Sequence, residues 1–257
     1  MLDYWYVLYP IIFIYGIVIG SFLNVCIFRI PKEESIVTVK SHCMSCGHNL
    51  KWYDLFPLFS WLFLRGKCRY CGAKISPQYP IIEATNGILY LVVFIINGFT
   101  VESALWCFVT SCLLVITVID FRTMLIPVGS YVIILLIGVA HLFLDLDNWL
   151  DYLLGFVCAG AFLLIISLLF RLITGKSGLG LGDIELMACA GMCLGVSRVF
   201  FAIVIGCILG AIIEGIRIAV TKKKGKFAFG PYLSVATFVC LLWGKAMYDW
   251  YLSLAGL

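Results

Sequence analysis

Charge is what this 257-residue sequence has least of. Asp, Glu, Lys and Arg make up 12% of it, against about 25% in soluble globular domains, while 63% of the residues are hydrophobic and the mean hydropathy is +1.08. That balance excludes a water-soluble globular protein and indicates an all-α polytopic membrane protein. Other absences narrow the chemistry. No H-E-x-x-H occurs, which disfavours a zinc metalloprotease, and no dinucleotide-type glycine fingerprint follows any segment. The first apolar stretch lacks a basic amino-terminal flank and a small-residue cleavage site, so it reads as a retained helix rather than a secretory signal. There is no internal repeat and no low-complexity tract.

What is there is a series of apolar runs: 4–28, 80–98, 103–119, 127–144, 150–170, 184–196, 199–220 and 232–251. Most approach the roughly 20 residues that a membrane-spanning helix needs, so about eight transmembrane helices are expected, with 184–196 the shortest. All Lys and Arg residues except Arg198 and Lys245 fall in the connections 29–79, 120–126, 171–183 and 217–230. The positive-inside rule then places those connections in the cytosol and the amino terminus outside, in a cell membrane. The basic run 222–226 anchors that topology and can meet anionic lipid headgroups.

The long polar loop 29–79 carries the sharpest motif. Cys43-Met44-Ser45-Cys46 and Cys68-Arg69-Tyr70-Cys71 are two C-x2-C pairs, each followed by glycine (Gly47, Gly72). Four such thiolates suit one tetrahedral ion, and a loop this size has too small an apolar core to order itself without a staple. Zinc is the expected metal. Iron uses the same ligand set, and disulfides are the other option, disfavoured by a reducing cytosol. His42 and His48 flank the first pair and read as bystanders. The basic residues of the loop are scattered among Glu33, Glu34 and Asp54, so nucleic acid is not an expected partner.

Polar residues inside apolar spans are functional candidates by default. Ser21 and Asn24 lie on a small-residue face of the first span that suits helix packing, and Asn24, near its cytosolic end, also suits a ligand held there; Glu83 and Asn86 open the second span, where they bind a ligand or cap and snorkel. Asp120 ends the third span, in a stretch running to Ile126-Pro127, and Asp183 follows Gly178-Leu179-Gly180-Leu181-Gly182 at the start of the short sixth span. The topology puts both aspartates at the same membrane edge. Two carboxylates at matching depth suit aspartic proteolysis, in which one takes a proton from water and the other donates one to the scissile carbonyl oxygen. They also suit a proton- or cation-coupled transporter with a regulatory zinc module. The plain alternatives are a glycine-rich junction with Asp183 as an N-cap, and an Asp120–Arg122 ion pair. Glu214 and Arg217, three apart, are expected to pair structurally.

An ordered set of motifs resembles the type IV prepilin peptidases over essentially the whole chain: Gly20-Ser21-Phe22-Leu23-Asn24-Val25 with Arg29 and Pro31, the paired cysteine knuckles with Trp52-Tyr53-Asp54 between them, Tyr79-Pro80 with Glu83, Asp120 with Ile126-Pro127, Gly180-Leu181-Gly182-Asp183, and Phe229-Gly230-Pro231. The resemblance implies an intramembrane aspartic endopeptidase with Asp120 and Asp183 catalytic, shaped by Gly180, Gly182 and Pro127. It implies cutting of the basic leader of type IV prepilins and pseudopilins of pilus and type II secretion systems. It further implies methylation of the new amino terminus from S-adenosylmethionine by residues 1–98, with 99–257 forming a six-helix peptidase part. A peptidase without methyl transfer, its cysteine loop a docking scaffold, is the narrower version. Where the family often carries lysine two residues after the second aspartate, this chain has Glu185.

Overall fold

A computed structural model of the chain describes residues 5–175, 178–222, 225 and 227–256, without the side chains of Trp5 and Ala255. Positions 223, 224 and 226 of the basic run lie outside the described residues. The described structure is helical: α1 (Trp5–Arg29), α2 (Phe59–Phe63), α3 (Gln78–Asn97), α4 (Val101–Thr123), α5 (Val128–Leu142), α6 (Trp149–Thr174), α7 (Leu181–Leu194), α8 (Val196–Thr221) and α9 (Gly230–Ala255). Two isolated β-bridges, His42 with Asn49 and Lys67 with Lys74, are the extended pairing among the described residues.

Every one of the eight expected apolar runs forms a helix, and α2 adds a short one inside the polar loop. Five of them, α1, α3, α4, α6 and α8, are long and apolar enough to cross a membrane. The other three differ for separate reasons. Helix α5 has 15 residues. Helix α7 has 14, about 21 Å at the α-helical rise, well short of a hydrocarbon core of about 30 Å. Helix α9 has the length but falls short in apolar character.

The chain divides into two compact units, Met1–Phe99 and Thr100–Leu257. In the first, α1 and α3 pack against each other through glycine. A Cβ on Gly16 would lie 2.7 Å from Gly87 Cα, and one on Gly20 would lie 2.7 Å from Glu83 Cα. Backbones this close gain dispersion contact where no hydrophobic drive operates between helices in lipid. The loop joining the two helices is tied down at its start by Arg29, which is buried at the end of α1 and donates to the carbonyls of Val39 (2.8 Å) and Ser35 (3.2 Å).

In the second unit the short α7 is the central element. It packs on α5, α6, α8 and α9, and from Asp183 to Leu194 every residue except Glu185 is buried. Gly155 of α6 and Gly191 of α7 meet backbone to backbone: a Cβ on Gly155 would lie 2.5 Å from the Gly191 carbonyl oxygen. Helix α4 packs on α5 and α9. An apolar helix enclosed on nearly all sides needs no bilayer-spanning length, because its neighbours supply the low-polarity surroundings.

Candidate functional site

Asp120 and Asp183 come together at the helix ends of the second unit. Asp120 is 4% exposed in the last turn of α4. That helix stops because Met124 turns left-handed (φ 55°), its N–H donating to the Asp120 carbonyl at 2.8 Å. The chain then runs through Ile126 to Pro127, which caps α5 in the extended region (φ −65°, ψ 126°), the conformation that the proline ring and the residue before it favour. Asp183 is 9% exposed in the first turn of α7, and its carboxylate is close enough to that of Asp120 for the two to interact electrostatically.

The backbone around each aspartate has a defined task. Gly180, not Asp183, is the N-cap of α7 (φ −69°, ψ 144°). Asp183 sits three residues on and reaches back to accept the Gly180 N–H, as an acid at that position does in a capping box. A Cβ on Gly180 would lie 3.0 Å from Asp183 Oδ2, so the oxygen next to the glycine is Oδ2. The second oxygen, Oδ1, is buried and accepts no hydrogen bond among the described residues. Asp120 is anchored in the same way by a different helix start: its Oδ2 accepts the N–H of Gly230, the first residue of α9, at 2.9 Å. Arg122, the sequence-level rival for Asp120, is exposed.

Ile126 holds the three segments together. A Cβ on Gly182 would lie 3.0 Å from Ile126 Cβ, and one on Gly230 would lie 3.2 Å from Ile126 Cδ1 and 2.7 Å from Asp120 Oδ2. Side chains at either glycine would push the α7 and α9 starts away from the aspartates. Gly230 was legible beforehand only as part of a helix breaker, since nothing local tells which carboxylate its N–H meets. The start of α9 is fastened in turn by Tyr232, whose hydroxyl donates to Glu214 at 2.9 Å, while Glu214 also pairs with Arg217 as its i,i+3 spacing predicts. Glu185 is exposed and hydrogen-bonded to Tyr131 of α5.

In the first unit the four cysteines converge. Their sulfurs all lie within 4.8 Å of one another, with Cys43 and Cys71 at 3.9 Å. A tetrahedral ion with metal–sulfur bonds of about 2.3 Å sets its sulfurs roughly 3.8 Å apart, so the cluster fits zinc. The two knuckles are built alike. Gly47 and Gly72 adopt φ of 69° and 71° and donate back to the carbonyls of Cys43 (2.8 Å) and Cys68 (3.0 Å), a left-handed turn that favours glycine. Backbone N–H groups of Cys46 and Ser45 hold the Cys43 thiol down at about 6, favouring the thiolate that a metal takes. At Cys71 the Ala73 N–H acts the same way, but burial and the neighbouring sulfurs of Cys68, Cys46 and Cys43 outweigh it and push the thiol up to about 11. Sulfurs this close cannot all carry charge unless a cation sits among them. Neither His42, bonded to the Lys40 carbonyl, nor His48, whose ring lies tilted against Tyr70, belongs to the cluster.

The rest of the loop locks onto the second knuckle. Asp54 accepts from Arg69 (2.7 Å), Tyr70 (3.0 Å) and the Lys51 N–H (3.2 Å). Burial opposes the Asp54 charge, and these three donors outweigh it, holding the carboxyl below its ordinary range. Asn24 and Glu83, the low-order ligand candidates, are both buried where α1 and α3 meet the loop.

Comparison with known proteins agrees with this layout. Residues 14–97 match the Bacterial Peptidase A24 N-terminal domain, and residues 107–214 match the Type IV leader peptidase family. Among curated proteins named prepilin leader peptidase/N-methyltransferase, the one from Xanthomonas campestris pv. campestris is 34% identical, covering 94% of this chain and 93% of its own. Those from Pseudomonas aeruginosa and Bacillus subtilis are each 32% identical, covering 94% and 95% of this chain and 92% and 98% of theirs. No solved structure matches.

Proposed function

Because the chain belongs to the type IV leader peptidase family, we propose that it is a multi-pass membrane endopeptidase that removes the leader of type IV prepilins and pseudopilins by aspartic chemistry at Asp120 and Asp183. The observation that carries this reading is the pair of buried carboxylates, each fastened through one oxygen by a glycine N–H at a helix start. Asp183 keeps Oδ1 without a partner. One carboxylate, ionised, takes a proton from water as the water attacks the scissile carbonyl carbon. The other, protonated, gives its proton to the carbonyl oxygen; on collapse of the tetrahedral intermediate the first carboxyl passes the water-derived proton to the departing amine and the second takes its own proton back from the gem-diol hydroxyl. Positioned proton transfer of this kind contributes typically 10²- to 10⁴-fold. The catalytic edge faces the cytosol in this reading, with the amino terminus outside, because the basic connections lie on that side.

Methyl transfer from S-adenosylmethionine to the new amino terminus is assigned to the first unit, following the names of the relatives. The cysteine cluster serves there as a structural zinc site: Cys43, Cys46, Cys68 and Cys71 complete a tetrahedron and leave no position for catalytic water.

The test is intact-mass analysis of a prepilin incubated with purified enzyme and S-adenosylmethionine, alongside Asp120→Asn and Asp183→Asn. Leader loss with one added methyl group, and cleavage reduced at least about 10³-fold in both variants, is the expected result. Full cleavage by either variant overturns the aspartic mechanism. Cleavage without methyl transfer reduces the chain to a peptidase with a zinc scaffold.

A further inference from the structure

The first unit holds buried polar groups whose needs its metal cluster and helix packing meet only in part. Asn24 is 1% exposed on α1. Its Nδ2 donates to the Tyr79 carbonyl (3.1 Å) and the Gly20 carbonyl (3.4 Å), and that settles the amide's orientation, since a flipped amide would set its oxygen against two carbonyl oxygens. Oδ1 therefore faces elsewhere, and it accepts no hydrogen bond among the described residues.

One helical turn along α3 from Tyr79, and directly across from Gly20, is Glu83, 5% exposed. Its carboxylate accepts the Leu58 N–H at 2.7 Å and the Ser21 hydroxyl. Among the described residues no lysine, arginine or histidine pairs with it. Ser21, on the turn of α1 before Asn24, is partly exposed, the most open of the three side chains. A buried acceptor with no donor and a buried carboxylate with no cation are both costly. One chemical group supplies both needs, since an ammonium carries several N–H donors and a positive charge. Packing alone would be served by apolar side chains at these positions.

We propose that Asn24 Oδ1 and the Glu83 carboxylate, with Ser21 at the entrance, bind a primary ammonium group, the free α-amino terminus of the cleaved peptide. The assignment of the amine to a peptide terminus rests on the methyl-transfer reading above, in which that amine is the acceptor. Glu83 also anchors the backbone of Leu58, which has φ of 60°, so the test has to separate charge from anchoring. Glu83→Gln keeps an oxygen for the Leu58 N–H and removes only the charge.

The experiment measures binding of a synthetic peptide with a mature pilin amino terminus, in free-amine and N-acetylated forms, to the full-length zinc-loaded protein in detergent. Zinc content and melting temperature serve as controls of fold. The wild type is expected to bind the free amine at least about tenfold more tightly than the acetylated form, the scale of one charge-assisted contact. In Glu83→Gln that preference falls below about twofold. Equal binding of both peptides by the wild type, or a preference retained in Glu83→Gln, overturns the site. Should Glu83→Gln lose zinc, Asn24→Leu decides: a tenfold preference kept there also overturns it. A wild type that prefers the free amine yet transfers no methyl group to it sinks the methyl-transfer reading and leaves the ammonium site standing.

Discussion

Replacing Gly230 with alanine tests whether the start of α9 sets the position of Asp120. The backbone of Gly230 is not left-handed, so alanine is allowed there conformationally. The obstacle is steric: the new methyl would lie 2.7 Å from Asp120 Oδ2, 3.2 Å from its Cγ and 3.2 Å from Ile126 Cδ1. To restore ordinary contact the carboxylate must retreat by about 0.7 Å, which also bends or breaks the 2.9 Å bond from the Gly230 N–H. Misplacement of about 1 Å in a catalytic group costs on the order of 10²-fold, so kcat/KM for leader cleavage is expected to fall about 30- to 100-fold. Overpacking of this size costs about 1–3 kcal/mol of stability. Two comparisons bracket the effect. In Gly182→Ala the new methyl meets the Ile126 side chain rather than a carboxylate, and a loss of roughly three- to tenfold follows. In Gly215→Ala nothing lies within 4 Å, and relief of a helix-interior glycine leaves cleavage unchanged while adding about 0.5–1 kcal/mol to stability. The assay is quantitative mass spectrometry of prepilin cleavage with melting temperatures in detergent. A Gly230→Ala enzyme cutting within threefold of the wild type would refute the claim that α9 holds Asp120 in place.

Two further outcomes follow from the same geometry. In zinc-free protein at pH 7, iodoacetamide should label Cys43 ahead of Cys71, because the thiolate is the reacting form and the two thiols are held at about 6 and about 11. Since the Cys43 value is depressed from 9.0, the contribution of its thiolate to loop stability is complete above pH 9, declines as the pH falls, and is gone once the pH passes through about 6. Peptide mapping across that range reads it, zinc loading should protect all four cysteines, and equal labelling of Cys43 and Cys71 without zinc refutes it. In the peptidase unit, Gly191→Ala should cost more than about 3 kcal/mol, because the new methyl meets the Gly155 backbone, which cannot move aside as a side chain can. Gly160→Ala, whose nearest neighbour is the Ala188 methyl at 3.2 Å, is the milder comparison by melting temperature.

The features legible in the sequence are those whose physics is local. Runs of apolar residues form helices wherever Gly or Pro does not stop them, and paired cysteines two apart followed by glycine describe a knuckle on their own. The Gly180-Leu181-Gly182-Asp183 stretch likewise announces a helix start with a carboxylate in its first turn. Features that depend on distant partners stayed hidden. Gly230 is 110 residues from the carboxylate it binds. Ile126, rather than the more conspicuous Pro127, fills the space that Gly182 and Gly230 leave open, and nothing in its own neighbourhood marks it. The burial of α7 on nearly every side could not be read from its composition, which is why its 14 residues looked like a deficient membrane span. Asp54 resembled an ordinary loop acid until Arg69 and Tyr70 folded onto it.

In Asp183, capping and the proposed chemistry are compatible roles for one side chain. A carboxylate has two oxygens and about four acceptor positions, and the capping bond to Gly180 occupies one of them on Oδ2 while Oδ1 remains without a partner. The capping bond fixes the rotamer, and a fixed rotamer is what a proton-transferring group needs. Asp120 repeats the arrangement with Gly230. The depth of the site follows from the same construction. Non-helical backbone at membrane depth is tolerated where protein encloses it or where it lines a water-filled cavity, and in the proposed reading the late start of the 14-residue α7 gives Gly180 and its neighbours such a position. Lengthening α7 at its amino-terminal end should therefore abolish cleavage even with both aspartates intact.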